Sequence, residues 1–221
     1  MSENNHTGVK KQRKGQINYK LSLNEEQKIA KAEILNHAFS FIHGAAGTGK
    51  TLLSVQIALD LVFKREKNQI IITRPTVGTE DNGFLPGSLK EKLEPWMVPL
   101  KSNMLKLYDS KKIISMYDNE QIEMISLSHF RGRTFDDAVV IVDEYQNLTR
   151  AQLQMAVGRI GKNSIMIFCG DTEQIDLKDR IYSATEDIAR IKNSKYVFVT
   201  ELTQNHRHEA VQEVLKLLNG I

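Results

Sequence analysis

The chain has 221 residues, 41% hydrophobic and 26% charged, with 30 Lys and Arg against 27 Asp and Glu. That balance excludes a fibrous or disordered chain and fits a soluble globular unit long enough to bury a core without disulfides. The net charge of +3 is unevenly placed: Lys10, Lys11, Arg13, Lys14 and Lys20 against Glu3 give residues 1–20 a balance of +4, which leaves −1 for the remainder.

Residues 1–20 therefore read as a flexible basic arm, suited either to neutralising nucleic-acid phosphates or only to keeping the chain in solution. Ser22-Leu23-Asn24-Glu25 fits a capping box opening a helix, with Ile29, Ala32 and Leu35 on one face. Phe39–Ile42 is a short apolar strand that runs through a glycine-rich turn into an apolar helix over Leu52–Phe63. Further strands are expected at 70–73, 122–127, 138–142, 165–169 and 196–200, with helices at 90–108, 151–160, 184–191 and 210–218. Thr149 and Gln152 suit the cap of the second of these helices. Continuous apolar strands alternating with helices predict an α/β sandwich, its parallel sheet covered on both faces. The segment Arg74–Ser88, rich in Pro and Gly, is too long for a plain turn and leaves the carboxyl end of a strand, where open α/β sheets bind ligands. It is a candidate nucleic-acid contact or an inter-subunit loop. The lone Cys169 sits in an apolar run and reads as a buried thiol of a reducing compartment. No apolar stretch reaches the ~20 residues of a membrane span, and the polar N-terminus lacks a signal-peptide block. A cytoplasmic protein without a membrane partner is expected.

Chemistry concentrates at three strand ends. Gly44-Ala45-Ala46-Gly47-Thr48-Gly49-Lys50-Thr51 is a complete P-loop in its strand–loop–helix setting. The glycines let backbone N–H groups turn toward phosphates, and the helix N-terminus adds partial positive charge. Lys50 is placed to reach the β- and γ-phosphates of a nucleotide, and the Thr51 hydroxyl to coordinate Mg²⁺. The strand 138–142 ends in Asp143-Glu144. Asp143 is the expected partner of the Mg²⁺ shell, and Glu144 the candidate base for an attacking water. The strand 165–169 ends in Gly170-Asp171-Thr172-Glu173-Gln174, where Gln174 can sense the γ-phosphate with Asp171 as a polar neighbour. Arg133 and Arg207 are candidates for a guanidinium that accelerates hydrolysis, in cis or from a neighbouring subunit; solvation or nucleic-acid contact is the alternative for each. His43, His206 and His208 form no zinc pattern with Cys169, so no structural metal is expected.

GAAGTGKT, VVIVDEYQN and CGDTEQID, in that order, resemble motifs I, II and III of superfamily 1 helicases. With Gly83-Phe84-Leu85-Pro86-Gly87, Glu91-Lys92, Pro95 and Arg131-Gly132-Arg133-Thr134, the chain resembles the PhoH-like ATPase family over nearly all of its length after the arm. Two features depart from the family pattern: Tyr145 stands where Ala is usual, and the loop before Gly83 is shorter. The resemblance implies a single RecA-like P-loop NTPase domain over residues 21–221, an α/β three-layer sandwich with a mostly parallel sheet and a five-stranded parallel core. It also implies ATP hydrolysis with Mg²⁺, and RNA or single-stranded DNA as partner in a helicase-like role, with a nucleotide-dependent binding module that separates no strands as the alternative. By the same resemblance, Gln27 can read the adenine edge or be an ordinary helix residue. Movement along a strand needs ATP held between two RecA-like units and this chain has length for one, so a homo-oligomer, by analogy a hexameric ring, is expected.

Overall fold

The computed structural model describes residues 19, 21–75 and 89–218. In chain order the elements are α1 (Glu25–Ile34), β1 (Phe39–His43), α2 (Lys50–Phe63), β2 (Gln69–Thr73), α3 (Leu89–Leu107), α4 (Ser110–Asp118), β3 (Ile122–Met124), β4 (Ala138–Asp143), α5 (Arg150–Val157), β5 (Ile165–Cys169), α6 (Thr185–Ile191), β6 (Val197–Glu201) and α7 (Glu209–Leu218). The strands form one sheet in the order β3-β2-β4-β5-β1-β6, and every pairing is parallel.

Strand periodicity divides the core into two layers. Ile42, Ile70, Ile72, Val139, Ile141, Ile167 and Cys169 point to one face, where helices α1 to α4 cover them. Their alternates Phe41, Ile71, Val140, Val142, Met166 and Phe168 point to the other, beneath α5, α6 and the 3₁₀ turn Leu127–Phe130. Both faces are dry, which is why these strands read as unbroken apolar runs. Phe41 and Phe168 stack with ring centroids 4.4 Å apart, which locks β1 beside β5 on that second face.

Several local expectations change. The capping box of α1 forms two residues later than the spacing predicts, between Asn24 and Gln27. The buried stripe is accordingly Gln27, Ala30 and Ile34, while Ile29 and Leu35 are exposed. A glutamine leads the inward face, so hydrophobic periodicity alone selects the wrong one. Helix α4 was not expected, because the charged Lys111-Lys112 pair hides an apolar stripe carried only by Ile113 and Met116. The strand expected over 122–127 stops at Met124, and Ser126 then opens the 3₁₀ turn. The Thr149–Gln152 capping box forms as read. The arm and residues 76–88 of the Pro/Gly-rich segment lie outside the described residues. Among the described residues no helix is long and apolar enough to cross a membrane.

Candidate nucleotide site

The sheet order places β4, β5 and β1 side by side. Their registers align Asp143 with Cys169 and Cys169 with Ile42. The loop after β1, the acids ending β4 and the loop after β5 therefore emerge at one end of the sheet. A parallel arrangement is what makes this possible, since all carboxyl ends lie on the same side. They border a cleft of about 540 Å³ lined by Ala46, Gly47, Gly49, Lys50, Thr51, Asp143, Glu144, Gly170, Asp171 and Gln174, among others. That volume is in the range that holds a small organic ligand.

The P-loop is backed on two sides. From the N-terminal side, Gln27 is buried; its Oε1 accepts from the Asn24 N–H at 3.2 Å and its Nε2 donates to the Thr48 carbonyl at 3.1 Å. Gln27 thus braces the loop and still borders the cleft. From the C-terminal side, residues 202–207 run across the loop. The Leu202 N–H donates to the His43 carbonyl, the His206 N–H to the Gly47 carbonyl at 3.0 Å, and Asn205 Nδ2 to the Ala46 carbonyl at 3.3 Å. Glu26 holds this strap by accepting from Thr203 N–H at 2.8 Å and from its hydroxyl at 3.0 Å. Gly47, at φ +98°, lies so close to the strap that a Cβ there would meet Arg207 Cγ and Asn205 Oδ1, each at 2.7 Å. Inside the loop, Thr48 Oγ1 donates to the Ala45 carbonyl at 3.0 Å, and Lys50 Nζ donates to the carbonyls of Gly44 and Ala45.

Thr51 Oγ1 donates to Asp143 Oδ1 at 2.9 Å. Burial, then the neighbouring Glu144 charge, raises the Asp143 carboxyl to about 6. A hydroxyl and a buried, poorly compensated carboxylate paired at the mouth of the P-loop are a donor set that suits a hard divalent cation. Glu144 follows in the left-handed region at φ 54°, a conformation that costs about 1 kcal/mol or more in a non-glycine residue. That turn swings its carboxylate into the cleft, where Oε1 lies 3.6 Å from Arg74 Nη2. Beneath it, Tyr145 is fully buried, and its hydroxyl bonds His43 Nδ1 at the end of β1. Tyr145 fills the space beside Gly170, where a Cβ would approach its ring to 2.7 Å. Burial holds His43 below its ordinary range.

Lys50, Thr51, Asp143, Glu144, Gln174, Gln27 and the P-loop residues are therefore gathered at one cleft, and Arg207 lies against the loop. Arg133 does not join them. Its guanidinium makes a bidentate pair with Glu123 at 2.8 and 2.7 Å and covers the Phe135 ring. Glu123 belongs to β3, which β2, β4 and β5 separate from β1; four strand spacings amount to roughly 19 Å. The expectation of Arg133 as a finger in its own chain is corrected accordingly: a nearby carboxylate, invisible as a partner in the sequence, captures it. Sequence reasoning missed Gln146, which is 1% exposed and bonded to both acidic loops. The chain carries little signal for it: Gln146 is one of several polar residues in Asp143-Glu144-Tyr145-Gln146-Asn147, and two of its partners come from a distant loop.

A parallel sheet with a complete P-loop at one strand end and a Thr–Asp pair beside it defines a P-loop NTPase. The family model described as "PhoH-like protein" matches residues 21–219, and the chain belongs to the PhoH-like family. It is 37% identical over 214 residues to a PhoH-like protein of Synechocystis, covering 95% of this chain and 65% of that protein. It is 39% identical over 178 residues to one of Bacillus subtilis, covering 78% and 56%. The chain thus spans about half to two thirds of the length of these relatives. Among solved structures, the large terminase of a thermophilic bacteriophage superposes with a TM-score of 0.57 at 10% identity, over 88% of this chain and 49% of that one. That likeness shows a shared fold.

Proposed function

We propose that this PhoH-like chain binds ATP with Mg²⁺ and hydrolyses it, in a cycle coupled to RNA or single-stranded DNA. The observation that carries the reading is the convergence of Lys50, the Thr51–Asp143 pair and the Glu144 carboxylate on one cleft. The backbone of residues 44–49 and the N-terminus of α2 receive the phosphates, and Lys50 leaves its loop carbonyls to reach the outer ones. Thr51 and Asp143 hold Mg²⁺, which when bound neutralises phosphate charge. Glu144 accepts a proton from water as the water oxygen bonds to the terminal phosphorus. The bond from that phosphorus to the bridging oxygen breaks, and its electron pair leaves with ADP. Gln174 reads the terminal phosphate from the loop after β5. Of the two arginine candidates, Arg207 is the one beside the P-loop, and it serves as the finger. Gln27 keeps one N–H beyond its bond to Thr48 with which to meet the purine edge.

The nucleic-acid partner is supported by family membership, by the basic arm and by Arg74 at the head of the segment 74–87. A homo-oligomeric ring, with the hexamer favoured, supplies the second RecA-like surface that one unit lacks. ATPase rates with and without single-stranded RNA or DNA test the reading. Lys50→Ala is expected to weaken nucleotide binding, whereas Glu144→Gln binds nucleotide and loses turnover. Full turnover in Glu144→Gln removes Glu144 as the base. No stimulation by any polynucleotide points to another client, and duplex displacement separates a helicase from a nucleotide-controlled binding module.

A further inference from the structure

We propose that Gln146 is the positioning residue for Glu144, fixing the carboxylate that takes the proton and tying it to the loop after β5. The inference rests on the assignment of Glu144 as the base. It begins from burial, because an amide that is 1% exposed must find partners for its polar atoms within the chain. Both hydrogens of Gln146 Nε2 are used: one on Glu144 Oε2 at 2.7 Å, the other on the Gln174 carbonyl at 2.9 Å. Its Oε1 accepts from the Asp171 N–H at 3.2 Å, and its main-chain carbonyl accepts from Ser183 Oγ at 2.6 Å. The amide has one sensible orientation, since a flip would set its oxygen against a carboxylate and a carbonyl.

Two consequences follow for the reaction. A carboxylate turns freely about its terminal torsion, but here Oε2 is held by the Gln146 hydrogen bond, which leaves Oε1, in looser contact with Arg74 at 3.6 Å, as the atom to accept the proton. Fixing that orientation is worth about 10²-fold where the reacting atoms must align to within an ångström. The same amide also binds Asp171 and Gln174, which border the phosphate cleft. A shift of that loop is therefore passed to the base through one side chain. Asn147 reinforces the connection with a two-way bond to Asp176, at 3.1 and 2.8 Å. Gln146 itself does not line the cleft, so it acts through Glu144 and not on nucleotide.

The test uses the full chain with Gln146→Met, which keeps length and loses the donors, and Gln146→Glu, which keeps shape and reverses the contact with Glu144. Binding of a fluorescent ATP analogue reports that each variant is folded. Either variant that binds with the wild-type Kd is expected to lose ~10–10²-fold in kcat with KM unchanged. In a Glu144→Gln background, followed by single-turnover hydrolysis, Gln146→Met is expected to change the residual rate by less than about twofold, because the group it positions is gone. Wild-type kcat in both variants overturns the proposal, as does an equal loss in both backgrounds or an effect confined to KM and Kd. Undiminished turnover in Glu144→Gln alone is a different result, and it removes the assignment of the base.

Discussion

Replacing Asp143 with asparagine probes the electrostatics of the site without disturbing its shape. The carboxyl rises from 3.8 to about 6 in the folded chain because burial and the Glu144 charge disfavour ionisation. A raised carboxyl means that folding prefers the protonated form: the favourable contribution is whole below 3.8 and is lost as pH climbs through about 6. Two units at 1.36 kcal/mol each make the ionised group cost about 3 kcal/mol at pH 8, about half that at pH 5 and a few tenths near pH 4. The substituted amide would retain an oxygen to accept from Thr51 and carry no charge. Asp143→Asn in EDTA, without nucleotide, should therefore be the more stable protein at pH 8 by up to ~3 kcal/mol, or ~6–12 °C in Tm for a domain of this size. Urea titrations at pH 8 and pH 5 read the difference directly. Addition of Mg²⁺ and ATP should reverse the ranking, because the cation compensates only the aspartate. A variant no more stable than the parent at pH 8, or a gain that does not shrink toward pH 5, refutes the reasoning.

Further outcomes can be checked separately. Burial also pushes the Cys169 thiol up, and its sulfur lies 2.8 Å from Ser54 Oγ; it should resist an aromatic disulfide reagent in the native protein at pH 8 and react at once in denaturant. Gly47→Ala sets a methyl against Arg207 and Asn205 at positive φ; a loss of about 1–3 kcal/mol in stability, with weaker nucleotide binding, is expected by denaturation and titration. The Arg133–Glu123 pair is more than a third exposed, so its coupling in a double-mutant cycle should be about 1 kcal/mol or less. The bond from Arg133 holds the Glu123 carboxyl below its ordinary range, so that contribution should be present at neutral pH and fade as pH falls below about 4.5. Coupling above about 2 kcal/mol would show a structural anchor in place of a surface pair.

The candidate site divides into what neighbouring residues declare and what distant ones decide. Gly44–Thr51 was legible because an anion cradle is made of consecutive N–H groups, and Asp143-Glu144 because an apolar strand delivers whatever follows it to the sheet edge. The six strands and most helices were legible for a similar reason: side-chain alternation and capping act over a few residues. Gln27 shows the boundary of that legibility. As the N3 residue of a capping box it is a local signal, yet its bond to the Thr48 carbonyl spans 21 residues. Arg133 and Arg207 looked equivalent in the chain. Only the sheet order, which leaves β3 at the far edge, and the strap over Gly47 set them apart. For Gln146 the run VVIVDEYQN showed only one polar residue among several after the strand, while its role depends on Asp171 and Gln174, residues 25 and 28 positions later. Backbone chemistry at short range is written in order along the chain, whereas burial obliges a polar group to find whichever partner the packed layers bring to it.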